Sequence, residues 1–336
     1  MTLIAQPAKV MNDQPTPPST DEASVGTIFT PHRRTQLLVI AASVLCFFLF
    51  WWGGKWIGVP TEPGYSASLL QQPTPALAFI GTYIMLACAV VFGTLVAGRA
   101  WFYAGLFTGC IGQMALSARG GPMRYVLFQA ADGGGSQRVF LMLFLEQGLL
   151  FLAIGLLWRF FWRRYETMRA AAAAAADAPI APADTATALL IQAAGMATVV
   201  LLAAATDAKT QVLVAVFLGG LAGTTLAEMY ARKTGNHAVA GWFWLAPFVV
   251  GAFGYLVAYF TSTTWAIGDP GDGLARLARP LPLDYASAGC AGALLGYWVG
   301  ADRPSLCASI LSGLFSASGH VAEPVKGKPN SNDNNR

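Results

Sequence analysis

Long apolar runs alternate with short polar, basic or glycine- and proline-rich segments along most of this chain, and the apolar residues are contiguous rather than spaced at a helix or strand period. Runs of about 18 or more such residues read as helices that cross a lipid bilayer. Eight are predicted, at 37–56, 76–98, 100–117, 139–160, 187–206, 211–230, 241–260 and 284–302. The fifth has the weakest pattern, being Ala-rich and carrying Gln192 and Gly195. Glycines interrupt the third and Pro247 the seventh, which helices in lipid tolerate better than helices in water. The expected fold is an all-α membrane protein, a polytopic bundle of about eight transmembrane helices.

The segments between the runs divide the chain. Residues 1–35, rich in Pro, Thr, Asp and Gln, read as a disordered tail, and 36–170 hold the first four helices. An Ala/Pro-rich linker, 171–186, leads to the second four in 187–303. The run Ala170–Ala176 is a strong helix former and should prolong the fourth helix beyond the membrane until Pro179 and Pro182 end it. In 304–320, Leu306, Ile310, Leu311, Leu314 and Phe315 share one helical face and Ser305, Ser309, Ser312 and Ser316 another, an amphipathic helix too short to span. A disordered tail, 321–336, follows. No cleavable signal peptide is expected, because a polar tail precedes the first run and that run is long enough to stay in the bilayer. The two four-helix halves share an order of features, Gly93-Thr94 then Arg99 then Trp101 against Gly223-Thr224 then Arg232 then Trp242. Their spacing differs, so shared topology explains the echo better than common descent.

Composition agrees with lipid as the solvent. The chain is 55% hydrophobic and 11% charged, where soluble domains carry about 25% charged residues. With both termini placed in the cytoplasm, Lys and Arg fall inside over outside by two to one, as the positive-inside rule requires. Tryptophans sit near the ends of the runs, as aromatic belts do. The expected location is a plasma (inner) membrane, crossed several times. A net charge of +4 spread over helix ends gives no footprint for nucleic acid. Cys46, Cys88, Cys110, Cys290 and Cys307 form no C-x-x-C pair and do not alternate with His32, His237 or His320, so neither a metal site nor a cofactor is expected.

Small residues recur at helical spacing. Ala288, Gly292, Gly296 and Gly300 line one face of the eighth run; Gly105 and Gly109, Gly219 and Gly223, and Ala89, Gly93 and Ala97 do the same in others. Such faces let another backbone approach closely. Packing inside one bundle is the leading reading, and a homo- or hetero-oligomeric contact is the alternative.

One formally charged residue, Glu146, stands well inside an apolar run. An ionised carboxylate there costs of order 2.5–3.5 kcal/mol on insertion scales, so it should be neutral or partnered. At 1.5 Å per residue it lies roughly 5 Å to the outer side of the span's middle. Gln113, Tyr83 and Tyr255 fall at similar depth and make a candidate polar cluster with it. Two readings stand beside each other: a proton- or cation-linked site in a transport path, and a structural hydrogen bond from Glu146 to Gln113. Glu228 is followed four residues later by Arg232, the spacing of a helical ion pair, and Asp207 and Lys209 are expected to be solvated in a short turn. Arg119, Arg124 and Arg138 gather in one outer loop against Asp132 and form a candidate anion or headgroup site.

No H-E-x-x-H motif, catalytic triad or phosphate-binding glycine loop is present; Asp132-Gly-Gly-Gly135 follows no strand, and Asp269 and Asp272 lie among turn residues. The leading expectation is passage of a small solute or ion through the bundle. A non-catalytic subunit of a membrane complex comes second, and an intramembrane enzyme acting on a lipid-linked substrate third.

Overall fold

The computed structural model of the chain describes residues 33–56, 68–72, 74–97, 102–131, 136–176, 185–234, 242–261 and 276–301. Of the expected tails, 1–32 and 321–336 lie outside these residues, as do the linker segment 177–184, the amphipathic helix at 304–320, Asp132, Cys307 and all three histidines, while 33–35, expected in the first tail, belong to the first helix. Among the described residues every regular element is a helix. They are α1 (Arg33–Gly53), α2 (Pro75–Ala97), α3 (Phe102–Arg119), α4 (Met123–Ala131), α5 (Ser136–Ala176), α6 (Thr185–Ala203), α7 (Lys209–Lys233), α8 (Leu245–Thr261), α9 (Pro282–Asp284) and α10 (Cys290–Ala301). A π-helical turn, Tyr285–Gly289, joins α9 to α10, so the three make one last helix.

Among the described residues, four stretches are long and apolar enough to cross a membrane: Pro75–Ala97, Gln137–Arg163, Thr185–Ala203 and Lys209–Ala231. Leu37–Gly53 and Leu245–Thr261 are apolar but shorter. Their outward faces carry large apolar side chains, among them Ile40, Ile84, Leu145, Leu190, Leu202 and Phe253, all exposed. A soluble monomer rarely shows so extensive an apolar surface, so these faces belong in lipid. α5 is 41 residues long, about 60 Å at 1.5 Å per residue against a hydrocarbon core of about 30 Å. The alanine run therefore does continue the helix, to Ala176, and only 177–184 separates it from α6.

The last helix is the axis of the bundle. Residues 280–294 are buried without a break. α10 lies along α7, and the π turn touches α3, α5, α7 and α8. α1 and α2 pack on α3, α6 packs on α7, and α5 pairs with α8. Glycine makes these approaches possible. A Cβ on Gly292 would collide with the carbonyl of Phe217, and one on Gly296 with that of Leu221. Gly223 stands in the same way against Gln192 of α6, and Gly105 against Val90 of α2. The glycine faces on α3, α7 and α10 thus serve packing within the chain, and Gly300 continues the α10 row one turn on.

Buried hydroxyls and amides are answered locally or across helices. Thr82, Thr108 and Ser287 donate to the carbonyl four residues back. Gln192, which weakened the pattern of its run, is buried and donates to Thr224 on α7 at 2.7 Å. Interhelical bonds of this kind contribute about 0.6 kcal/mol on average in a membrane. Pro247 does not interrupt a helix, because α8 begins at Leu245 and its first turn needs no N–H there. The halves do not repeat a packing pattern: α2 pairs closely with α3, but α7 pairs with α10 rather than α8.

Candidate functional site

At one end of the bundle the turn Leu69–Gln71, α4 and the turn Arg276–Ala278 lie against the helices. The turn Leu69–Gln71 follows Ser68; α4 packs Met123, Val126 and Leu127 on α5 and α8; the turn Arg276–Ala278 leads through Pro280 into the last helix. Side chains hold the last of these in place. Tyr255 donates to Pro280 O at 2.6 Å and Tyr285 to Leu277 O at 2.7 Å. Arg276 donates to Leu201 O and Arg279 to Ala204 O, each at 2.8 Å, while Gln211 takes Ala203 O. These are carbonyls at the C-terminal end of α6, where a helix has no partners of its own and attracts cations.

Glu146 is fully buried under this cap. Its Oε2 accepts from the Ser68 hydroxyl and, at 3.3 Å, from the Leu70 N–H. Its Oε1 has no hydrogen-bond partner in the protein. Of the neighbours expected by depth, Tyr83 and Tyr255 lie within electrostatic reach of the carboxyl, but their hydroxyls go elsewhere, that of Tyr83 to Leu149 O at 2.8 Å. The bond from Glu146 to Gln113 is not formed. Gln113 shares its face of α3 with Cys110, which lies beside Cys290, and with Ser117, which donates to Asp284. That register sets Gln113 against the π turn, and both its amide atoms are buried without a partner. Equal depth says nothing about direction around a helix, and α3 turns Gln113 toward the axis while α5 turns Glu146 toward the cap. Gln147 points at α8, its Nε2 at 3.4 Å from Pro247 O, and leaves Oε1 without a partner.

A second buried acid, not anticipated from the sequence, stands at the head of the last helix. Asp284 takes the Lys209 ammonium at 2.6 Å and the Ser117 hydroxyl on Oδ1, and the Leu281 N–H at 2.8 Å on Oδ2. Lys209 is therefore not solvated; it turns inward from the start of α7, and its charge also acts on Glu146. Asp207 does stay near solvent and pairs with Arg124 at 3.4 Å. Glu228 is buried near the far end of α7, and the side chain of Arg232 lies outside the described residues.

The three arginines do not converge on an anion. Arg119 is buried, donates to Trp51 O and lies over the Trp51 ring at 5.4 Å. Arg124 is committed to Asp207, and Arg138 is exposed at the start of α5. Among the described residues no three His, Cys, Asp or Glu side chains converge as a metal site would need. What defines the candidate site is a buried polar layer of two carboxyls, one ammonium and two glutamines, gathered from α3, α5, α7 and the last helix of a membrane-compatible bundle. No protein-family model matches the chain, and no curated protein or solved structure matches it either.

Proposed function

We propose that this protein is a multi-pass membrane protein that passes a small solute or ion through its helix bundle, with Glu146 as the residue that takes up and releases a proton or cation. The observation that carries the reading is the half-engaged carboxyl. A carboxyl kept only to tie helices together would use both oxygens, and buried unsatisfied groups in native proteins mark functional or solvated positions. Here Oε2 is held by the cap and Oε1 is buried with no hydrogen-bond partner in the protein. The Lys209–Asp284 pair beside it supplies a second ionisable element, and intramembrane ionisable groups mark ion and proton pathways by default.

The same reading places eight crossings, both termini in the cytoplasm and the chain in the plasma membrane. The two-to-one bias of Lys and Arg supports that orientation. The alternative of a non-catalytic assembly subunit rested on free glycine faces, and Gly292 and Gly296 are taken up by α7. The test is uptake or efflux by the purified full chain in proteoliposomes, across a panel of small ions and solutes, beside Glu146→Gln. Loss of flux with normal folding supports the proposal. Flux unchanged by the substitution overturns it.

A further inference from the structure

Two glycines of α5 are not used for helix packing. A Cβ on Gly148 would meet nothing within 4 Å, and one on Gly155 would meet only the Trp244 ring at 3.7 Å, an ordinary contact. They floor a groove of about 390 Å³ between α5 and α8, walled by Leu152, Trp158 and Trp244 and reaching Arg159. The groove opens outward, since Leu152 and Leu156 are exposed. From Gly148 near the middle of the candidate span to Arg159 is eleven residues of helix, about 16 Å at 1.5 Å per residue. That is the depth of one leaflet of a hydrocarbon core about 30 Å thick.

The chemistry changes along it. The middle is apolar. The end carries the exposed Arg159 and Arg163, with Trp158 5.4 Å from Trp242 and 5.5 Å from Trp162, in the manner of an aromatic belt. The shape and charge of the groove fit an apolar chain one leaflet deep that ends in negative charge.

We propose that this groove binds one acyl chain of an anionic phospholipid, with the phosphate at Arg159, beside Arg163. The site is independent of Glu146. The test is native mass spectrometry of the delipidated full chain titrated with phosphatidylglycerol or with phosphatidylcholine of the same acyl chains. One phosphatidylglycerol per chain is expected to bind ahead of the rest. Gly155→Leu, which fills the groove, should weaken that binding about tenfold, and Arg159→Gln should bring it down to the phosphatidylcholine level. Gly148→Leu, where the new side chain enters open space, repeats the test should Gly155→Leu misfold. Wild-type binding in the folded variants overturns the proposal. So does a groove-filling variant that turns a dimer into a monomer while lipid binding stays unchanged.

Discussion

The Lys209 ammonium, on the first residue of α7, stands 2.6 Å from Oδ1 of Asp284, on the third residue of the last helix, and the carboxylate is 1% exposed. The two are 75 positions apart in sequence. Removing one partner of a buried pair strands the other charge, at a cost of about 3–5 kcal/mol. Asp284→Leu and Lys209→Met should each lower the thermal midpoint in detergent markedly, and the double variant that combines them should lose less than the sum of the two. Additive losses would show that the pair is not a unit.

The exposed pair makes the contrast. Arg124 and Asp207 are 3.4 Å apart with side chains 52% and 27% exposed. Such pairs contribute about 0–1 kcal/mol, so Arg124→Gln should melt within experimental error of the wild type.

These two pairs show where the sequence was readable. Each apolar run falls on a described helix and, apart from α5, which runs on to Ala176, matches its bounds to within a few residues, because backbone satisfaction in lipid leaves little choice of structure. Glu146 stood out because it interrupts such a run. Asp284 did not, because it follows Arg279, Pro280 and Pro282 at the edge of a run, where charges are ordinary. One local signal was present: a proline at the first helical position with an acid two residues later marks a helix start. Its burial, however, comes from the turn Arg276–Ala278 and from Lys209, which no local pattern encodes. Ser68 was invisible for a related reason: it lies between two runs, and only the folded chain brings it and the turn Leu69–Gln71 onto α5.

Gly292 and Gly148 sit on helices of the same bundle with opposite surroundings. Gly292→Ala would press a methyl into the Phe217 carbonyl, and the rigid backbone there cannot yield. It should reduce folded yield and the melting temperature. Gly148→Ala enters open space and should be neutral or stabilising by about 0.5–1 kcal/mol. Comparison of the two by size-exclusion profile and thermal melt checks this.

Arg279 caps α6 through Ala204 O at 2.8 Å. Arg279→Ala leaves that carbonyl without its charged donor, a loss of about 1.5–3 kcal/mol for a bond to a charged group. Hydrogen–deuterium exchange should quicken in the last turn of α6 and in 276–281, with little change in α1 and α2, which lie on the other side of α3.

The role given to Glu146 is tested most directly by proton movement in proteoliposomes loaded with a pH-sensitive dye, under an imposed potassium diffusion potential. Coupling through this carboxyl predicts a dye response in wild-type vesicles above that of protein-free ones, and its loss in Glu146→Gln vesicles whose protein melts normally. An equal response from wild type and Glu146→Gln would contradict it.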